Sequence, residues 1–122
     1  MDEEELNTEE ETNGLLAHLE ECQENCLFSI VHCLDQGGDF VKADHMKILM
    51  DCEKICGLAK NFFLRNSTYA GDILDLCSGI CEDCAQSCKT FFEDKMMQDC
   101  ALVCENCAKA CQEIIEEAEP EV

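Results

Sequence analysis

The chain has 122 residues, the size of one domain. Its 28 acidic against 8 basic residues give a net charge of −20, which excludes a nucleic-acid partner: phosphate binding needs clustered Lys and Arg, and here the bases are spread singly. No apolar stretch approaches the roughly 20 residues of a membrane span, so no membrane partner is expected either.

Taken in chain order, residues 1–11 read as an acidic lead, disordered or frayed, ending in a helix start at Thr8 with Glu11 as its capping-box partner. A single domain is expected over 12–118, with 119–122 as a tail. The first helix is predicted from about Thr12 to Gln36, with Leu15, Leu19, Cys22, Cys26 and Cys33 inward, and Gly37-Gly38 stops it. The second, about Val41 to Leu64, carries His45, Leu49, Cys52, Cys56, Ala59 and Phe63 at the same spacing. Asn66-Ser67-Thr68 matches a glycosylation sequon, but with no secretory signal visible it reads as a turn with a Ser/Thr cap. The third helix, about Tyr69 to Phe92, is joined by a turn near Glu93 to Lys95 to the fourth, about Met96 to Ala118. The lone proline, Pro120, lies outside every helix interior. Short connections make successive helices antiparallel, so the expected fold is all-α: an up-down-up-down four-helix bundle with a cysteine-lined core.

Thirteen cysteines decide what the bundle is for. Cys77, Cys81, Cys84 and Cys88, then Cys100, Cys104, Cys107 and Cys111, step by four, three and four residues, the a/d spacing of a helix seam. Cys22, Cys26 and Cys33, with Ser29 between, and Cys52 with Cys56 continue the stripe in the other two helices. One or two core thiols would mean nothing, since Cys packs as a small hydrophobe. Leu or Ile would bury more at each site, and a sequence built only to fold would not repeat that loss so often. The odd count leaves a thiol over in any intramolecular disulfide scheme, which points to a reducing cytoplasm and metal ligation.

Residues four apart lie about 5–6 Å apart on one helix face, so each Cys-x-x-x-Cys pair can hold an ion between two sulfurs. Soft thiolates select Cu(I), Zn or iron–sulfur clusters. Cu(I) suits a continuous column: bridging thiolates let many ions fill it, and exchanging H⁺ for Cu⁺ changes buried charge little. Zinc competes at Cys81-x-x-Cys84 and Cys104-x-x-Cys107, with nineteen residues between. An iron–sulfur cluster would normally need a run such as C-x₂-C-x₂-C-x₃-C, which does not occur. A disulfide-stapled helical hairpin is a further alternative. Three scattered histidines leave no enzyme reading.

The segments Cys77-Ser-Gly-Ile-Cys-Glu-Asp-Cys-Ala-Gln-Ser-Cys88 and Cys100-Ala-Leu-Val-Cys-Glu-Asn-Cys-Ala-Lys-Ala-Cys111 resemble the cysteine-rich four-helix-bundle copper storage proteins, the Csp family. Asp51-Cys52 to Cys56, Phe62-Phe63 and Arg65-Asn66-Ser67 are similar to that family's second helix and its turn. The resemblance spans roughly residues 15 to 115. It implies a lumen taking up many Cu(I) ions, with copper as the partner, in a cytosolic homo-oligomer such as a tetramer. The family often has a His just before the fourth-helix quartet, where this chain reads Met96-Met97-Gln98-Asp99, so no histidine carries over there.

The register also distinguishes two ends. Leu15, Leu19, Ala59, Phe63, Ala70, Leu74, Ile114 and Ala118 form an expected apolar plug. Cys33, His45, Leu49, Cys88, Phe91, Met97 and Cys100 line the other end, with Met96 and Met46 flanking, so Cu(I) is expected to pass inward there with His45, Met96 and Met97 as first ligands. His18 and His32 are expected on the surface, and Phe28, Ile30 and Val31 at a subunit interface.

Overall fold

Helix-period burial organises the whole chain. In the computed structural model, which describes residues 3–118 (side chains 12–117), four helices follow one another: α1 (Glu3–Gln36), α2 (Ala43–Leu64), α3 (Ala70–Lys89) and α4 (Lys95–Ala118). A 3₁₀ turn, Gly38–Val41, joins α1 to α2, and no strand occurs among the described residues. Each helix packs on its neighbours around a square, α4 closing back on α1, while the backbones of the diagonal pairs α1/α3 and α2/α4 stay apart and meet only through side chains in the lumen. The square leaves a lumen between the diagonals. Cross-helix pairs run in opposite directions: descending α1 through Cys33, Gln23 and Glu20 meets His45, Glu53 and Lys60 ascending α2. The expected antiparallel bundle is therefore the observed one.

Helix boundaries differ from expectation in ways that have local causes. α1 already runs as helix from Glu3, not from Thr8 or Thr12. Glu is a good helix former and acids at an N-terminus oppose the helix dipole, so an acidic stretch continues the helix upstream. Gly37 (φ 67) and Gly38 (φ 56) adopt left-handed backbone that a Cβ would strain, ending α1 and starting the 3₁₀ turn; α2 therefore begins at Ala43 rather than Val41. α3 stops at Lys89 instead of Phe92, because the Thr90 hydroxyl donates to the Ser87 carbonyl at 2.7 Å and the chain turns. Asp94 then accepts the Met97 N–H at 2.9 Å and starts α4 as its cap. At the sequon, Asn66 is left-handed (φ 54) and the Ser67 hydroxyl accepts the Tyr69 N–H, the turn expected from sequence.

One end of the lumen is apolar. Leu15, Leu19, Ala59 and Leu74 are buried there, and Phe63 and Ile114 pack against them part-buried; the side chain of Ala118 lies outside the described residues. On the outer face of α1, Leu27, Phe28, Val31 and Leu34 are exposed, whereas Ile30, expected with them, packs inward against the core.

Candidate metal centre

All thirteen cysteines are buried free thiols, so the structure contains no disulfide and no support for a stapled hairpin. The i, i+4 and i+3 steps of each helix point them into the lumen, and antiparallel packing interleaves the four stripes. Cys22 Sγ lies 3.8 Å from Cys52 Sγ and 3.8 Å from Cys104 Sγ. Cys52 reaches Cys81 at 3.7 Å, and Cys56 reaches Cys81 at 3.8 Å and Cys77 at 3.9 Å. An ion with metal–sulfur bonds of about 2.3 Å in a tetrahedral S₄ shell requires sulfur–sulfur edges of about 3.8 Å. The ladder is thus spaced as a coordination shell before any ion arrives.

Spacing alone suits zinc as well as copper; the sharing of ligands argues against separate mononuclear zinc sites. Four sets of four thiols lie close enough to hold an ion: Cys22/Cys26/Cys52/Cys104, Cys22/Cys52/Cys56/Cys81, Cys26/Cys84/Cys100/Cys104 and Cys56/Cys77/Cys81/Cys107. Cys22, Cys26, Cys52, Cys56, Cys81 and Cys104 each belong to two sets. Independent tetrahedral ions cannot fill overlapping sets, but bridging thiolates can. The zinc set expected from spacing, Cys81 and Cys84 with Cys104 and Cys107, is not brought together: among the described residues no set holds both Cys81 and Cys84. Those two are consecutive seam positions along α3, so each meets thiols at a different height of the lumen. Cys33, Cys88 and Cys111 extend the column beyond the four sets.

The thiols set one another's ionisation. Hydrogen bonding from Cys104 holds Cys22, Cys52 and Cys100 below the ordinary thiol value, while Cys104 is itself pushed up, most by Cys100. Hydrogen bonding with Cys107 brings Cys77 down to about 6. Cys26, Cys84 and Cys88 are raised, chiefly through Cys100, and Cys56 and Cys81 through Cys107. A few acceptor sulfurs surrounded by S–H donors make a mostly protonated column. Replacing those protons with monovalent ions keeps its charge nearly constant, whereas divalent ions would add charge at each step.

At the end opposite the apolar plug, Cys33, His45 and Met97 meet. Cys33 Sγ is 3.5 Å from His45 Nε2 and 3.9 Å from Met97 Sδ, and all three residues are at most 4% exposed. The Ser87 hydroxyl sits 2.7 Å from His45 Nδ1 and fixes the ring with Nε2 toward the thiol. Burial lowers the His45 pKa and, ahead of the charges of Cys100, Asp94 and Cys84, pushes Cys33 up to about 11. Met96, named with Met97 from sequence, is instead 38% exposed, one residue off the seam. Ser29, in the third slot of the α1 stripe, is fully buried and donates to Asn25 Oδ1 at 3.5 Å.

Sequence reasoning missed two elements of this end. His32, expected on the surface, pairs with Asp94 at 2.9 Å and ties α1 to the α3–α4 turn. Burial works to raise Asp94, but the Met97 N–H and His32 hold it below the usual carboxylate range. Phe40 stacks on Phe91 with ring centroids 4.4 Å apart, and Phe91 packs on His45 at 4.7 Å. Phe40 stands on a 3₁₀ turn, where no period marks it.

A four-helix bundle with a continuous column of ligand-spaced thiols, closed at one end, is a container for soft metal ions. Residues 8–116 match the copper storage protein family, Csp, and the chain belongs to that family. Among solved structures it is similar to the Nmul_A1745 protein of Nitrosospira multiformis at 30% identity and a TM-score of 0.82, covering 89% of this chain and 98% of that one. It shares the fold of the Cu(I)-bound copper storage protein BsCsp3 of Bacillus subtilis (24% identity, TM-score 0.81, 86% and 98% covered). The same holds for Ccsp of Streptomyces lividans, solved with 10 copper equivalents (22% identity, TM-score 0.79, 88% and 85% covered). No curated protein matches the chain.

Proposed function

We propose that this copper storage protein holds many Cu(I) ions along the lumen, with Cys22, Cys26, Cys33, Cys52, Cys56, Cys77, Cys81, Cys84, Cys88, Cys100, Cys104, Cys107 and Cys111 as ligands. The observation that carries the reading is the overlap of the four-thiol sets, which suits bridging monovalent ions and not separate zinc sites. The role is binding, not catalysis: His45 faces a thiol and His32 a structural carboxylate. Copper passes inward at the Cys33/His45/Met97 end, since the other end is packed with Leu15, Leu19, Ala59 and Leu74.

The chain works in a reducing cytoplasm as a homo-oligomer. Thirteen unpaired thiols support the first statement. The apolar outer strip of α1, from Leu27 to Leu34, supports the second. No helix among the described residues is long and apolar enough to cross a membrane.

Anaerobic titration of the reduced protein with Cu(I) against a competing chelator tests the storage reading. About one ion per thiol is expected. Saturation at one or two ions, with tighter Zn²⁺ binding, would overturn it.

A further inference from the structure

The Cys33/His45/Met97 cluster is closed in this structure, with exposures of 0%, 4% and 0%. An ion from outside cannot reach Cys33 or Met97 unless a side chain moves. The Phe91 ring caps its His45 side, lying against that imidazole at 4.7 Å and stacked on Phe40 at 4.4 Å. Phe40 in turn receives the edge of His32, whose imidazole is tied to Asp94. Beside this cover, between the start of α2 and the end of α3, lies a cavity of about 370 Å³ lined by Asp39, Asp44, His45, Ser87 and Phe91 among others. His45 is common to both sides: Nδ1 meets Ser87 on the cavity wall, and Nε2 meets Cys33 behind it.

We propose that this cavity is a vestibule for incoming Cu(I), and that the Phe91 ring, held between Phe40 and His45, is the door separating it from Cys33. The inference rests on the Cu(I)-storage reading above. Of the charged groups on its wall, Lys42 pairs with Asp39 at 3.3 Å, and Asp44 remains as the carboxylate that favours a cation in the vestibule. The door consists of parts that can move. Phe91 stands in the α3–α4 turn, outside both helices, and Phe40 rides on the 3₁₀ turn that follows the left-handed pair Gly37 and Gly38. Both rings are only part-buried, whereas the residues around them on α2 and α4, His45 and Met97, are locked in the core. Swinging the Phe91 ring outward breaks its stack on Phe40 and its contact with His45, and no backbone hydrogen bond of a helix. It frees the face of the His45 ring, which already lines the vestibule, with Cys33 and Met97 next in line.

Loading kinetics of the full, reduced chain test the door. Cu(I) is supplied anaerobically as its acetonitrile complex in stopped flow and read by the ultraviolet absorption of new Cu(I)–thiolate bonds. F91A and F40A should each load about three- to tenfold faster than the parent, the factor expected from losing one aromatic stack. Removal of copper by a chelator should accelerate similarly, and final capacity should stay at the parent value. F91L, which keeps apolar bulk without the ring face, should fall between. F92A is the control: Phe92 is 70% exposed on the same turn and should change nothing. If Phe91 were only packing, its removal would lower the melting temperature without raising the rate. Parent-like or slower loading in F91L and F40A with intact helicity would overturn the door, even if F91A failed to fold. Failure of the parent itself to bind many Cu(I) ions would overturn the storage reading instead, so the two failures are distinguishable.

Discussion

Cys22 Sγ and Cys104 Sγ lie 3.8 Å apart across the α1–α4 seam, although 82 residues separate them in the chain. Cys52, from the helix on the other side of Cys22, lies 3.9 Å from the same Cys104 sulfur. The three sulfurs form a triangle drawn from three helices. A column of such triangles has no boundary between one site and the next, and filling it is a property of the lumen.

Thiols should therefore contribute unequally to capacity. Cys52 belongs to two four-thiol sets, and Cys111 to none. Cys52→Ala should lower Cu(I) capacity by about two ions, and Cys111→Ala by about one or less, because only the former removes a bridge. Competitive titration with a coloured Cu(I) chelator measures both. Equal losses would indicate separate sites.

The apolar plug should supply metal-free stability without touching capacity. Leu19 is fully buried beside Leu15. Leu19→Ala should destabilise the metal-free protein by about 2–5 kcal/mol in chemical denaturation, through lost burial and the cavity left behind. Copper stoichiometry should remain that of the parent under native conditions.

Alkaline pH should weaken the metal-free fold. Cys33 is raised from 9.0 to about 11 in the folded chain, so the folded state keeps a proton that the unfolded state loses. That contribution is fully present below pH 9.0 and is lost as pH rises through about 11. Cys77, lowered to about 6, acts oppositely, as do the lowered Cys22, Cys52 and Cys100: the Cys77 contribution is present above pH 9.0, where it no longer changes, and is lost as pH falls through about 6. Since Cys26, Cys56, Cys81, Cys84 and Cys88 shift the same way as Cys33, the alkaline loss should dominate. Each raised thiol adds a slope of up to about 1.4 kcal/mol per pH unit between its two pKa values. Denaturation midpoints of the reduced protein across pH 8 to 11 check the direction.

Ligands at the closed mouth should govern speed more than amount. Replacing His45, Met96 and Met97 together should slow Cu(I) loading severalfold and remove about one ion at most, because the thiol column behind them is intact. His45→Ala with Met97→Ala should reproduce most of that slowing, since Met96 is exposed and off the seam. Stopped-flow loading of the two variants separates these contributions.

Much of this architecture is legible in the sequence because helix periodicity is local. The four-three-four steps of Cys77 to Cys88 and Cys100 to Cys111 assign inward faces without any partner helix, and Gly37-Gly38 marks a stop that left-handed backbone explains. Errors arise where one residue of register or a distant partner decides. Met96, about 100° round the helix from the seam residue Met97, flanks the mouth as its spacing implies, but at 38% exposure it stands apart from the Cys33/His45/Met97 cluster for which the sequence names it as a ligand. His32 sits one residue from the Cys33 stripe, and its role depends on Asp94, 62 residues away. Phe40 has no period to betray it.

The sequence by itself determined that the chain makes four amphipathic helices with thiols where aliphatic side chains normally pack, and that one end of the seam is apolar. Both follow from spacing within a helix. The tertiary structure decided which sulfurs become neighbours, and so rejected the Cys81/Cys84/Cys104/Cys107 zinc set in favour of overlapping sets drawn from different helices. It also closed the mouth with Phe40 and Phe91, which come from separate turns. Contacts between helices depend on their relative height and direction, and spacing along a single helix carries no record of either.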